Sequence, residues 1–214
     1  MTTIRHHITD DLLMGYAAGI LPRAFDLVVA THVSLSDEAR ARLSSYEAIG
    51  GAVLDDAGEA DLDSNSLEKT LARIQGMPMR EPSHNRGRGI FPGPLYSMAG
   101  GDPDDIKWRS LGMGTKQCIL HSDKDASARL LYIPAGQAMP QHSHRGTEMT
   151  LVLQGAYRDE SDRFARGDIE IADQDMKHTP VAEAGQDCIC LIATDAPLKF
   201  SGLLPRIAQP FLGI

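Results

Sequence analysis

Three side chains of the types that bind transition metals lie close together in the second half of the chain. His142 and His144 are separated by one residue, and Glu148 follows after three more. Successive side chains of a β-strand point to opposite faces, so the two histidines face the same way. Glu148 can return to that face after a short bend at 145–147. Two imidazoles and a carboxylate on one face predict a metal site.

A fourth ligand is expected from a later strand, and His178 is the only histidine downstream of this stretch. Three imidazoles and one carboxylate suit Zn, Fe, Mn, Ni or Cu, and the residue types do not choose among these metals. We therefore expect one divalent transition metal, with zinc as the ion that purified protein carries.

Strands must position these ligands. From Trp108 onward the apolar residues recur with a period of two, in segments such as EMTLVLQGAY, DIEIAD and DCICLIATDA that polar turns separate. Short strands at this spacing predict a β-sandwich or barrel.

The spacing from Gly136 through His142, His144 and Glu148 to Gly155 resembles the first motif of the cupins. This resemblance implies an all-β cupin barrel, a double-stranded β-helix or jelly roll, with a metal inside. The second cupin motif is matched less closely. Gly167 and His178 are in place, but the usual Pro-x-Gly turn is replaced by Asp173–Gln174–Asp175.

The first third of the chain has a helical pattern instead. Ser36 is predicted to cap a helix that ends at Gly50–Gly51, and the next helix is predicted to bury Leu67, Leu71 and Ile74. A stretch rich in proline, glycine and arginine follows. The predicted fold class is thus α + β with two domains. Its parts are a small helical bundle at 1–76, a linker at 77–98 and the cupin barrel at 99–214.

Charge is unevenly distributed along the chain. The net charge is −8, and residues 1–70 alone carry −7. An acidic first segment repels phosphate, which argues against direct DNA binding and favours a basic protein partner. The sequence holds no apolar run of the roughly 20 residues that a membrane helix needs, and its first residues lack the pattern of a secretion signal. We expect a cytoplasmic protein that does not bind membranes. Its oligomeric state is left open, a homodimer included.

The segments RHHITDDLLMGYAAG and LVVATHVSLSDEARAR resemble the N-terminus of ChrR-type anti-sigma factors, and DIEIADQDMKHTPVAEAGQDCICLIATDAPL extends the resemblance over nearly the whole chain. It implies that the helical domain binds an extracytoplasmic-function sigma factor. The cupin domain would be needed to release that sigma factor under singlet-oxygen or peroxide stress. The residues that contact the sigma factor are unknown, and apolar candidates are Leu12, Leu13, Tyr16, Phe25, Val28 and Val29.

One departure from that family concerns zinc in the helical domain. The family's ligand positions correspond to His7, His32, Ser36 and Ala39, so both thiolates are missing here. Serine is a poor zinc ligand and alanine is none. We expect zinc binding in this domain to be weak or absent, unless Asp37 or Glu38 substitutes, and His7 and His32 would then be remnants of the site.

An enzymatic function is the alternative, because a cupin metal site can also serve a dioxygenase or a hydrolase. Glu160, Asp162 and Asp168 are the candidate acid–base residues, but they fit solvated strand ends equally well. We therefore favour a regulator and assign no catalytic residues. Cys118, Cys188 and Cys190 are expected to be free thiols.

Overall fold

The structure, a computed structural model, describes residues 3–77 and 89–197, together with the backbone of a short strand at Lys199–Phe200. Residues 78–88 of the predicted linker and residues 201–214 of the predicted barrel domain lie outside these ranges. The described helices are α1 (Asp10–Ala17), α2 (Arg23–Leu35), α3 (Asp37–Asp56), α4 (Ser66–Gly76) and α5 (Gly93–Ala99). None of them is both long and apolar enough to cross a lipid bilayer.

Helix α3 begins as the sequence predicts but ends later. The Ser36 hydroxyl accepts a hydrogen bond from the Ala39 N–H at 3.1 Å and so caps the helix. The predicted end at Gly50–Gly51 is wrong, because α3 continues to Asp56. Each glycine disfavours the helix by about 1 kcal/mol. Because helix formation is cooperative, a long helix that precedes the two glycines can continue through them despite this cost.

Helix α4 has an apolar face that the described residues leave uncovered. Leu67, Leu71 and Ile74 are 72%, 47% and 60% exposed, so the prediction that they are buried is wrong. Their spacing places them on one side of the helix, as predicted. A periodic pattern shows which face is apolar, but it does not show which molecule covers that face.

The strands form three antiparallel sheets. In the described part of the chain they are β1 (Arg109–Gly112), β2 (Thr115–Ser122), β3 (Ser127–Ile133), β4 (His142–Ser143), β5 (Glu148–Gln154), β6 (Ala156–Arg158), β7 (Arg163–Ala165), β8 (Ile169–Ala172), β9 (Lys177–His178), β10 (Val181–Ala182), β11 (Cys188–Thr194) and β12 (Lys199–Phe200). The largest sheet has the order β1-β2-β3-β11-β5-β8, and the smaller ones have the orders β10-β6-β7 and β12-β4-β9. The helices thus precede a sheet-rich cupin unit, which confirms the predicted fold class.

The central strands of the six-stranded sheet, β3, β5 and β11, are covered on both faces. Alternate residues of β3, β5 and β11 face the barrel interior, and the residues between them face α2, which lies across these three strands. This explains why every residue of β11 is buried. This shared core buries four of the predicted sigma-factor contacts, which therefore cannot reach a partner. The prediction is wrong for Leu13, Phe25, Val28 and Val29.

The chain before α1 is attached to the barrel through its backbone. The buried Asp168 carboxylate accepts hydrogen bonds from the Arg5 and His6 N–H groups at 2.6 and 3.0 Å. Beside it, Gly167 has a φ of +91°, and a Cβ there would lie 2.7 Å from the Ile4 side chain. Glycine is therefore required on two counts. The helices and the barrel are joined by this contact as well as by the core.

Candidate metal centre

Two of the predicted ligands face each other across a strand pair. Strand β4 pairs with β9 so that His142 lies directly opposite His178. Their Nε2 atoms are 3.1 Å apart, and His144 Nε2 lies 3.4 Å from His178 Nε2. His142 Nδ1 lies 2.9 Å from the Pro140 carbonyl. A donated hydrogen bond there fixes the tautomer that leaves Nε2 free to bind a metal.

Glu148 reaches the same point because the bend before it is tightly closed. The Thr147 N–H donates to Asp195 Oδ1 at 2.8 Å, and a Cβ on Gly146 would lie only 1.9 Å from that oxygen. The bend therefore depends on glycine. It starts β5 at Glu148, whose Oε2 atom lies 3.7 Å from His144 Nδ1.

The unusual turn before His178 is closed by an aspartate. Asp173 Oδ1 accepts a hydrogen bond from the Asp175 N–H at 3.0 Å, which is the geometry of an Asx turn. The side chain thus replaces the rigidity that the Pro-x-Gly turn supplies in the cupin motif. The turn leads directly into β9, so the departure from the motif leaves His178 in position.

The four residues fit a first-row transition metal. His142, His144, Glu148 and His178 are all buried, and their potential ligand atoms lie within 4.8 Å of one another. In a tetrahedral site with Zn–N distances of 2.0–2.1 Å, two nitrogens are about 3.3 Å apart. The observed separations of 3.1 and 3.4 Å match that value.

The protonation of these side chains also suits metal binding. Burial lowers the pKa of His142 and of His144 to about 4, so both imidazoles are neutral near pH 7. Burial raises the pKa of Glu148 to about 7. Burial alone would lower the pKa of His178, but the neighbouring Glu170 and Asp159 carboxylates raise it to about 9. A metal would therefore displace a proton from His178, and binding would be coupled to pH.

A second group of acidic residues orients His178. Asp159 Oδ2 lies 2.9 Å from His178 Nδ1, and Glu170 Oε1 lies 3.3 Å from the same nitrogen. The Tyr157 hydroxyl donates to Glu170 Oε2 at 2.6 Å. Carboxylates behind a ligating histidine fix its ring and raise its basicity. Sequence reasoning missed these residues, although Glu170 is an acidic side chain between the two isoleucines of a predicted strand.

The acidic residues that the sequence singled out have other contacts. Glu160 accepts a hydrogen bond from the Thr179 N–H at 2.9 Å, and Asp162 Oδ2 lies 3.5 Å from His6 Nε2. Asp168 binds the N-terminal backbone. None of these contacts joins them to the histidine cluster. Besides Glu148, the carboxylates at the predicted site are Asp159 and Glu170.

The positions of the family's N-terminal zinc ligands do not assemble a comparable site. His7 Nε2 lies 3.3 Å from Glu38 Oε2, and the His7 and His32 rings are 6.3 Å apart. The Ser36 hydroxyl caps α3. Across residues 3–77 and 89–197, the groups of three or more potential ligands within 4.8 Å include neither histidine. These residues therefore do not fit a structural zinc, and the expected weak binding stays a prediction.

The cysteines are free thiols, as predicted. Cys188 and Cys190 lie on the inner face of β11, with their sulfur atoms 3.6 Å apart. Cys118 is only half-buried, on β2.

Comparison with known proteins identifies the family. The model of the ChrR cupin-like domain matches residues 97–197. Along 99% of its length, the chain is 53% identical to the anti-sigma-E factor ChrR of Cereibacter sphaeroides, and the alignment covers 100% of that protein. The chain belongs to the ChrR family of anti-sigma factors. The solved Rhodobacter sphaeroides structure of SigE in complex with the anti-sigma ChrR is also similar. The sequence identity with that structure is 52% and the TM-score is 0.79. The match covers 90% of this ChrR-family chain and 100% of the chain in the solved structure.

Proposed function

We propose that this protein binds an extracytoplasmic-function sigma factor in the cytoplasm and keeps it from its promoters. The observation that carries the proposal is the 53% identity with an anti-sigma factor along the whole chain, helices and barrel together. The relative of known structure was solved in complex with a sigma factor. A protein partner of the same kind is therefore proposed here.

The surface proposed to bind the sigma factor is the apolar side of two helices. Leu67, Leu71 and Ile74 of α4 are exposed, and so are Ile49 and Val53 on the second half of α3. These five residues are the proposed apolar contacts of the two helices. An exposed face of large apolar side chains, such as the one that Leu67, Leu71 and Ile74 form on α4, is typical of protein–protein contacts. An amphipathic helix that inserts its apolar face into a groove would bury all three α4 residues at once.

Charge favours the same kind of partner. Residues 1–70 carry a net charge of −7, whereas a sigma factor presents basic surfaces to DNA. Opposite charges speed the encounter of two proteins, and the apolar contact then determines how long the complex lasts. Binding should therefore weaken as the salt concentration rises, because salt screens charges between exposed groups.

The barrel is proposed to hold one divalent transition metal and to act as the sensor of oxidative stress. His142, His144, Glu148 and His178 would be the ligands, with zinc as the ion of purified protein. When bound, the metal would link β4, β5 and β9 and offer a Lewis-acidic point inside the barrel. The proposed division is helices at 1–76, a linker at 77–98 and a sensor at 99–214.

The proposed sigma contact can be tested with charge substitutions on exposed residues. In full-length protein, Leu67→Glu combined with Ile74→Glu should prevent co-purification with the sigma factor encoded by the same organism and restore transcription from its promoter. Ile20→Glu is the matched control, because Ile20 is 76% exposed but lies in the α1–α2 turn. This control should bind as the wild type does. Full repression by the double variant, with its fold intact, would contradict the proposed surface.

The sensor role needs a separate experiment. A variant with His142→Ala and His144→Ala should still repress the sigma factor but should not release it when a photosensitiser generates singlet oxygen. Release at the wild-type rate would argue against the barrel as the sensor. An enzyme, the alternative function, would instead consume oxygen with small diketones. The family assignment favours the regulator.

A further inference from the structure

A short segment, residues 4–8, lies between the barrel wall and the helices, and we call it the N-terminal strap. It contacts the barrel at β8, the last strand of the six-stranded sheet in the described part of the chain. The Ile169 N–H donates to the His6 carbonyl at 3.2 Å. The Asp168 carboxylate accepts from the Arg5 and His6 N–H groups. The place of the strap on the barrel is therefore set by residues 168 and 169.

The same piece of backbone carries a carboxylate that reaches the metal centre. Glu170 follows directly, and its Oε1 atom lies 3.3 Å from His178 Nδ1. Because only one residue separates Glu170 from Asp168, a backbone shift that moves Glu170 also moves the acceptor that holds the strap. A change in the position of His178 can thus reach the strap through β8.

A row of packed rings makes a second connection between the strap and Glu170. The ring centroids of His6 and Phe164 are 4.4 Å apart, and Phe164 stacks on Tyr157 with centroids 5.1 Å apart. The Tyr157 hydroxyl donates to Glu170 Oε2 at 2.6 Å. Phe164 and Tyr157 are both buried, so no free space absorbs a displacement along this row.

The other end of the strap is fixed to the helices. Ile8 is buried in the core that also contains residues of α1 and α2. His7 Nε2 lies 3.3 Å from Oε2 of Glu38, in the first turn of α3. Thr9, which follows the strap, accepts a hydrogen bond from the Leu12 N–H at 3.4 Å and caps α1. A displacement of the strap would therefore move the first turns of α1 and α3 together.

We propose that the N-terminal strap transmits a change at the metal centre to the helices, and that it leaves β8 when the sigma factor is released. In the inhibiting state the strap is bound at Asp168 and holds α1 and α3 in place. A change that moves His178 or Glu170 weakens this contact, and the helices then lose the arrangement that binds the partner. An element that couples two sites must have two arrangements that both sites bias, here bound to β8 and released from it. The inference rests on the proposed function and names its regulatory connection.

Hydrogen–deuterium exchange of the full-length protein in complex with the sigma factor of the same organism tests the strap directly. The reporters are the backbone N–H groups of Arg5, His6 and Ile169, which form the hydrogen bonds between strap and barrel. When a photosensitiser generates singlet oxygen, exchange at these groups should accelerate about 10-fold or more, because exchange requires these bonds to open. Amides in the middle of α2 should stay protected, which shows that the chain remains folded.

Unstressed protein without the sigma factor is the control for this measurement. Its reporter groups should exchange as slowly as those of the complex, because the barrel and not the partner protects them. Fast exchange in this control would contradict the proposed bound state of the strap.

Substitution of His6 separates transmission from folding. His6→Ala removes the ring that contacts Phe164 and leaves the backbone contacts, so metal content and repression should be retained. The fraction of sigma factor released by singlet oxygen should fall about 2- to 30-fold, the usual effect of a substitution within a coupling network. His6→Phe keeps a ring and should restore release. His121→Ala is the matched control, because His121 is similarly exposed and also pairs with an aspartate, but on β2. It should release the sigma factor as the wild type does.

Two results would overturn the inference and leave the proposed function intact. One is unchanged exchange at the three reporter groups while the sigma factor dissociates, and the other is wild-type release by metal-loaded His6→Ala. A wild type that neither binds nor releases the sigma factor contradicts the proposed function itself, and the inference fails with it. If His6→Ala does not fold, the exchange measurement on the wild type decides.

Discussion

His32 should make the stability of the folded chain depend on pH in the mildly acidic range. The side chain is fully buried on α2, and burial, followed by the charge of His7, lowers its pKa to about 4. In the unfolded chain the pKa is 6.5. The unfolded state therefore binds the proton more tightly. Stability contributed by neutral His32 is fully present above pH 6.5 and is lost as the pH falls towards 4.

The size of this effect follows from the two pKa values. Their difference of about 2.5 corresponds to about 3 kcal/mol at pH values below both, of which about 2 kcal/mol is already lost at pH 5. Replacing His32 with Leu removes the titrating group. Between pH 7 and pH 5, the unfolding free energy of the wild type should therefore fall by about 2 kcal/mol more than that of His32→Leu.

Urea unfolding of both proteins at a series of pH values measures this difference. Other titrating groups are common to the two proteins, so their contributions cancel in the comparison. Val28→Ala is the matched control, because Val28 is buried one turn earlier on the same helix. It should lower stability by about 2 kcal/mol at every pH, since it leaves a cavity but no changed charge. Stability curves of wild type and His32→Leu that run parallel from pH 7 to pH 5 would refute the reasoning.

Two further predictions concern the metal centre. Elemental analysis of full-length protein should find one metal per chain. The variant with His142→Ala and His144→Ala should lose this metal, because the two remaining ligands are too few. A stoichiometric, chelator-resistant zinc in that variant would show that the N-terminal histidines bind metal. Glu170→Gln should weaken zinc binding about 10- to 100-fold in a competition with a chromogenic chelator, because the Glu170 carboxylate orients the His178 ring. Unchanged affinity would show that Asp159 alone orients this ring.

The metal cluster could be predicted because its information is local. His142, His144 and Glu148 lie within seven residues of one another. Strand geometry gives the two histidines a common direction, and a short bend returns Glu148 to it. The carboxylates behind His178 could not be predicted in the same way. Asp159 lies in a polar turn, where an acidic residue is expected anyway, and its approach to His178 depends on how the sheets close into a barrel.

The packing partners of the helices could not be predicted from the sequence. Both α2 and α4 have apolar residues at helical spacing, yet α2 is buried on the barrel and α4 is exposed. Periodicity reports a face and not its partner. The fully apolar run of β11 did contain a usable signal, because a strand with one solvated face alternates whereas a strand covered on both faces does not. That run predicts that some element packs on the outside of the barrel, but it does not predict which helix.

The cover of helix α2 on the central strands of the sheet has an evolutionary consequence. Outward-facing residues such as Leu151 and Leu191 pack against α2, so a change of size at either position must be matched by a change in the helix. The two halves of the gene are therefore expected to diverge together. Exchange of the barrel between distant relatives by recombination would break this match unless the first 35 codons moved with it. Lineages with new sensor domains should then have acquired both halves in one event.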